Sequence, residues 1–347
     1  MVKERILLVR HDALGDALVT LPAAAALRSH FPKAEVAVLA GERGGWAFRR
    51  AGFQILPDPV SFSGTVGLLR DYGPRVVLVA SPGGRIPLAA WAARVPVRIG
   101  YARRLWFFAY NRPLFLSRRR SGAHEAALAL ALLRPLGIRV NRIEPPRLKP
   151  LPEAVVEMRN LLKNLGISTK YAVLHPGSGG SATEWPPGHY RELAGTLIER
   201  GYGVVVSGGG DERIVAEGVV VGLNGPCANL AGLTDLDRLA ALVAGAALFV
   251  SSGTGPMHLA AALGVPQVAL FNRKPAIDPA RWRPLNPRAR ILTPPAPDDD
   301  LGAIQPRSVL EAVIHLETRP DYRYTEPTPP PSFPRPENRR PMRKGQP

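Results

Sequence analysis

The tripeptide Leu14-Gly15-Asp16 lies between an apolar run at residues 5–10 (RILLVR) and a stretch rich in alanine and leucine. The glycine permits a tight turn, and a carboxylate at the carboxyl edge of a sheet stands where α/β folds bind ligands. Asp16 in that place suits a general base. It also suits a helix N-cap or a partner for the helix dipole, and residue type alone favours the cap. Asp12 competes for either role.

Three further segments offer groups to an anion or a sugar. Residues 175–186 (HPGSGGSATEWP) carry a strand into a Gly/Ser-rich loop, whose free N–H groups and hydroxyls, Ser178 and Gly179 among them, suit a phosphate. No Gly-Lys-Ser/Thr follows, so this is not a P-loop, and a plain surface turn is the competing reading. Residues 251–259 (SSGTGPMHL) repeat the pattern with Pro256 near the first helical position. There the Thr254 hydroxyl, the first N–H groups and the helix dipole converge, as a diphosphate requires, with Gly255 in the glycine-bearing turn and His258 within reach as a donor. Residues 208–212 (GGGDE) form a turn that admits a ribose to Asp211 or Glu212, although a plain glycine loop explains it equally well.

Short apolar runs alternating with longer amphipathic stretches position these segments, which is the pattern of parallel sheets covered by helices. Strands are expected at residues 5–10, 35–40 and 75–80, and helices at 17–30, 87–93 and 124–136, with Pro22 in the first turn of its helix. The proline-rich residues 141–152 read as a linker. A second series follows, with helices at 153–165, 188–200, 236–244, 256–263 and 305–316, and strands at 171–175, 203–207, 248–251 and 267–271. Domains are therefore expected at 1–145 and 153–318, followed by a disordered Pro/Arg-rich basic tail at 319–347.

The 347 residues exceed a single-core domain, and 46% apolar residues suffice for two cores. The single cysteine, Cys227, excludes an internal disulfide. No run approaches the roughly 20 apolar residues of a membrane span, and no signal peptide is visible, so a cytoplasmic, soluble or peripheral protein is expected. The net charge of +17 fits nucleic acid, an anionic membrane surface or a polyanionic substrate. No nucleic-acid-binding motif supports the first. Arg94, Arg98, Arg103, Arg104, Arg112, Arg118, Arg119 and Arg120 alternate with Tyr101, Trp106, Phe107, Phe108 and Tyr110, a composition suited to an anionic acceptor or a membrane interface.

Together LVRHDALGDALVTLPAAAALR, HPGSGG…WPPGHYRELA, NLAGLTDLDRLAALVAGAALFVSSGTGPMHLAAALGVPQVALF and RWRPL resemble glycosyltransferase family 9, the family of ADP-heptose:lipopolysaccharide heptosyltransferases. VRIGYARR…HEAALALALLRPLGI is also similar, so the resemblance covers about residues 5 to 316. It implies a GT-B fold of two Rossmann-like domains, the first binding an anionic glycolipid or glycan acceptor and the second a nucleotide-diphospho-sugar, with an ADP-sugar favoured. It also implies inverting transfer with neither metal nor cofactor, with Asp16 as the base. Ser178, Gly179, Thr183, Thr254, Gly255, Pro256, His258 and Lys274 fall at the donor phosphates, Asp211 and Glu212 at the nucleoside, and Gly15, Arg103 and Arg104 at the acceptor.

This chain departs from the family's pattern twice. Many members have a lysine where Thr183 stands, and Asp-Thr-Gly where Gly253-Thr254-Gly255 stands. The two losses cancel in charge, which fits either coadaptation or a family member that binds its ligand without turnover. After residues 267–271 the usual Gly-Pro-Thr/Ser turn is replaced by Asn272-Arg273-Lys274-Pro275, so Arg273 or Lys274 is a candidate substitute for the missing lysine.

Overall fold

The computed structural model describes residues 4–102, 105–116, 121–167, 170–180, 182–274, 277–295 and 299–318. The expected tail at 319–347 and the acceptor candidates Arg103 and Arg104 lie outside the described residues.

Two six-stranded parallel sheets are built in succession. The first half runs β1 (Arg5–Val9), α1 (Leu14–His30), β2 (Glu35–Ala40), α2 (Glu42–Arg50), β3 (Gln54–Pro57), α3 (Phe62–Tyr72), β4 (Val76–Val79), α4 (Arg85–Ala92), β5 (Val97–Tyr101), β6 (Arg112–Leu114) and α5 (Glu125–Ala131). The second runs α6 (Pro152–Asn164), β7 (Tyr171–His175), α7 (Pro187–Glu199), β8 (Gly203–Val206), α8 (Arg213–Val220), β9 (Cys227–Asn229), α9 (Leu236–Ala244), β10 (Leu248–Ser252), α10 (Gly255–Ala262), β11 (Gln267–Leu270), α11 (Pro279–Trp282), β12 (Ala289–Leu292) and α12 (Pro306–Thr318).

The strand orders are β3-β2-β1-β4-β5-β6 and β12-β11-β10-β7-β8-β9. Read from β9, the second repeats the first, and both have the order of the doubly wound dinucleotide-binding fold. Central strands are apolar throughout because helices cover both faces: Ile6, Leu7, Leu8 and Val9 are all buried. The strand order reverses between β1 and β4 in one sheet and between β7 and β10 in the other. The chain leaving β1, β7 and β10 carries Asp16, Ser178 and Thr254 beside these reversal points, where ligands of such sheets sit.

Two local expectations change. Helix α1 starts at Leu14, so Asp16 lies in its first turn rather than in the loop, and Pro22 falls inside the helix. Pro22 cannot donate to the Leu18 carbonyl, and packing of the buried apolar face maintains the helix there. The helix expected at 124–136 stops at Ala131, and a 3-10 turn at Arg134–Leu136 follows. Pro135 explains the break, because its ring excludes an interior helical position.

The halves are packed together as well as linked. One apolar cluster continues from Leu8 and Leu18 of the first sheet layer to Met257 and Phe249 of the second. Leu148 of the connecting segment donates its N–H to the Ala262 carbonyl at 2.8 Å. Trp46 Nε1 donates to Asp237 at 2.9 Å, joining α2 to α9. The buried Glu125 carboxylate accepts from the Arg281 guanidinium at 2.5 Å, joining α5 to α11.

Candidate functional site

The amino ends of α1 and α10 abut at the centre of the molecule. A methyl group on Gly15 would lie 3.1 Å from the His258 ring and 3.4 Å from the Gly255 Cα, and one on Gly255 would lie 3.5 Å from the Gly15 nitrogen. At Gly15 glycine is therefore a matter of close approach, whereas a side chain at Gly255 would make only ordinary contact. Each helix start carries roughly half a positive charge, and its first N–H groups have no intrahelical acceptor. Two such ends meeting at one place make a field suited to an anion.

Asp16 stands beside this junction. The cap expected of it is absent: Ala13 is the N-cap of α1 and makes no side-chain cap bond. The Asp16 carboxylate instead accepts from Nη2 of Arg10, the residue that ends the first apolar run. Arg10 is only 2% exposed; its Nη1 donates to the Ala80 carbonyl at 2.7 Å, and Nη2 also lies 3.4 Å from Asp12. Thus one guanidinium fixes both carboxylates of the Asp12–Asp16 pair to the end of β4. Nothing singled out Arg10 from the sequence, although a cation ending a wholly buried strand ahead of two carboxylates was a usable signal.

On the α10 side, Thr254 is 3% exposed and its hydroxyl has no hydrogen-bond partner among the described residues. It precedes Gly255 and Pro256 as the N-cap without a side-chain bond to its own helix. His258 is buried rather than on the helix surface and lies edge-on to Trp282. Burial first, then the nearby His124, pushes its pKa down to about 3, so it is neutral at physiological pH and offers a hydrogen bond, not a charge.

The Gly/Ser loop after β7 is already occupied by carboxylates. Glu184 accepts from the Ser178 N–H at 2.9 Å and hydroxyl at 2.8 Å, while Glu212 accepts from the Gly179 N–H at 2.8 Å and the Gly209 N–H at 2.7 Å. Gly177 permits this arrangement: a Cβ there would fall 2.0 Å from the Glu212 carboxyl carbon. Glu212 therefore ties the loop after β7 to the loop after β8, whereas its neighbour Asp211 is exposed. Beneath the loop, Trp185 and Tyr190 are fully buried and meet edge to face at 4.8 Å.

The atypical positions form their own neutral contact. Asn272 Nδ2 donates to the Thr183 hydroxyl at 2.6 Å, and its Oδ1 accepts from the Lys274 N–H at 3.2 Å. Arg273 turns away from the loop after β7, donating to the Pro294 carbonyl at 3.1 Å through Nη2 and to Asp299 at 2.9 Å through its backbone. At Gly253 a Cβ would lie 2.6 Å from the Phe271 ring, so an aromatic edge fills the space any side chain at that position needs.

A further ion pair lies in the first half. Asp58, after β3, receives both oxygens' hydrogen bonds from Arg85 at the start of α4, at 2.8 and 2.5 Å. Burial works to raise the Asp58 pKa, but the Arg85 bond, the Val60 N–H and the charges of Arg85 and His11 outweigh it and hold it low. Among the described residues, no group of three or more His, Cys, Asp or Glu side chains is arranged to hold a metal ion.

Two parallel doubly wound sheets, with Asp16 on one half beside the start of α10 on the other, define the GT-B fold of a glycosyltransferase. The chain belongs to glycosyltransferase family 9 (heptosyltransferase), whose model matches residues 89–299. A Haemophilus influenzae protein described as a glycosyltransferase is 29% identical over 307 residues, covering 82% of this chain and 86% of that protein. Lipopolysaccharide heptosyltransferase 2 of Escherichia coli is 39% identical over 117 residues, only 33% of either chain. Among solved structures, the family 9 glycosyl transferase of Veillonella parvula superposes with a TM-score of 0.81 at 20% identity, covering 91% of this chain and 97% of that one. ADP-heptose lps heptosyltransferase II of E. coli gives 0.77 at 24% identity, covering 91% and 99%. Identities this low establish the shared fold.

Proposed function

We propose that the protein transfers a heptose from an ADP-sugar to an anionic cell-envelope glycolipid or polysaccharide on the cytoplasmic side, with inversion and without a metal ion. The observation that carries this reading is the contact of the two helix starts, which stands Asp16 next to the Thr254–His258 cradle. In this reaction Asp16 takes the proton of the acceptor hydroxyl as its oxygen attacks the anomeric carbon. The bond from that carbon to the diphosphate oxygen breaks, and the released diphosphate is stabilised by the α10 N-terminus, the Thr254 hydroxyl and the neutral His258.

Ser178, Gly179 and Lys274 line the approach of the diphosphate. Glu212 retains unused acceptor capacity for a ribose hydroxyl, with Asp211 at the rim. The acceptor enters over Gly15 and the Asp58–Arg85 pair. The likeness to heptosyltransferases, ADP-heptose lps heptosyltransferase II of E. coli among them, supports the donor class.

Thermal stabilisation by ADP-heptose, but not by UDP- or dTDP-sugars, is the expected first result. The Asp16→Ala variant is expected to keep that stabilisation and lose turnover, and a chelator is expected to leave turnover unchanged. Unaltered transfer by Asp16→Ala would reject the base assignment. Donor binding without transfer in the parent protein would favour the reading as a binding member of the family.

A further inference from the structure

The stretch from the end of α4 to the residue after β6 breaks the usual rule that large apolar groups face inward. Among the described residues five large aromatic side chains are exposed, and four of them, Trp91, Phe107, Phe108 and Phe115, fall within 25 residues of one another. Leu105 in the same segment is 90% exposed. Trp91 and Phe108 meet edge to face at 6.2 Å, so the end of α4 and the 3-10 turn at Phe107–Ala109 form one continuous surface. Exposed apolar groups clustered in this way mark a contact surface, unlike single ones scattered over a protein.

The charge of this segment narrows the partner. From Trp91 to Arg120 the sequence has eight arginines and no acidic residue. Arg94, exposed directly after α4, holds a left-handed backbone with φ 57, a place where glycine would be unstrained. Arg112 is also exposed, at the edge strand that precedes Phe115. Aromatic rings interleaved with cations and free of carboxylates match the interface of an anionic bilayer, where rings enter the headgroup layer and guanidinium groups bind lipid phosphates.

The surface also lies on the helix that carries the Asp58–Arg85 pair, over which the acceptor is proposed to enter. Helix α4 begins at Arg85, which binds Asp58, and reaches Trp91 near its other end, roughly 9 Å along the axis at about 1.5 Å per residue. Trp106 covers Gly84 at the helix start, where a Cβ would lie 2.8 Å from the indole ring. We infer that the surface carrying Trp91, Phe107, Phe108 and Phe115 docks on an anionic lipid bilayer and holds the Asp58–Arg85 end of α4 near the membrane. The inference rests on the acceptor reading above only for its purpose; the lipid contact stands on exposure and charge.

The test is co-sedimentation of the full chain with phosphatidylglycerol/phosphatidylcholine vesicles, against phosphatidylcholine alone, for the parent and a Trp91→Ala/Phe107→Ala/Phe108→Ala variant. These side chains are exposed, and thermal unfolding with and without ADP-heptose checks that fold and donor site persist. Retention of the parent on anionic vesicles only, reduced about tenfold or more in the variant, is expected. A parent that stays in the supernatant overturns the inference and leaves the surface to a soluble partner. Equal retention of parent and variant also overturns it, since binding then lies elsewhere on this basic chain. Because vesicle binding needs no sugar donor, failure of the donor reading would show in the thermal experiment and leave this result standing.

Discussion

Arg10 and Asp16, six residues apart, are joined by a hydrogen-bonded ion pair at the mouth of the first sheet, with the arginine almost sealed from water. A guanidinium held by the Ala80 carbonyl and two carboxylates has little freedom, so it fixes the direction in which Asp16 points. Replacing it by lysine keeps the charge but loses the planar fork. We expect Arg10→Lys to lower kcat by roughly 10- to 100-fold through misplacement of the carboxylate, with the donor KM nearly unchanged. Steady-state kinetics at saturating acceptor would check this, and a change confined to the donor KM would count against it.

The Gly253 position shows why the family's usual aspartate cannot simply be restored. The Phe271 ring occupies the space of its side chain. Gly253→Asp should destabilise the protein by about 1–3 kcal/mol, the cost of overpacking a close-packed site. Combining it with Phe271→Leu should recover part of that loss in urea unfolding. An undiminished midpoint for Gly253→Asp alone would mean that the ring moves without cost.

Glu212 clasps two loops through backbone N–H groups, and Gly177 leaves room for it. Gly177→Ala is expected to expel the carboxylate and weaken ADP binding about tenfold or more, as measured by calorimetry. Glu212→Gln retains most of the shape and should weaken it less. Equal affinity of Gly177→Ala and the parent would show that the clasp does not organise the donor loops.

Three buried histidines set an acid limit on stability. Burial lowers His124 and His175 to about 4 and His258 to about 3, from an ordinary value of 6.5. Between those values the unfolded chain binds protons that the folded chain refuses, so stability rises with pH in this window and falls as the solution is acidified below about 6.5. Each group contributes up to about 1.4 kcal/mol per pH unit there. Thermal midpoints from pH 7 to 4 should fall more gently for His258→Gln than for the parent, once each is referred to its own value at pH 7. Parallel curves would contradict the burial argument.

Strands β2 and β7 and helix α9 have the bounds that their residues suggest, and the other expected strands and helices lie close to theirs except the one expected at 124–136. Strongly apolar runs and long amphipathic stretches report local burial, which a one-dimensional pattern contains. Short or polar elements such as β3, β6, β9, β12 and α8 escaped notice because three or four residues, or a helix with Glu217 and Gly218 within it, give too little period to read. Family motifs in the sequence likewise marked Asp16 and Thr254 as partners without placing them near each other.

Only the tertiary structure brought Gly15 against Gly255 and His258, turned Arg10 inward to Asp16, and filled the loop after β7 with Glu184 and Glu212. It also separated the two candidate cations, tying Arg273 to Pro294 and leaving the Lys274 backbone on Asn272. These contacts join residues up to about 240 positions apart, and their geometry depends on how two sheets pack rather than on any local propensity. Sequence therefore determined the two sheets, the glycosyltransferase class and which loops to compare. Packing of one half on the other decided which atoms in those loops meet.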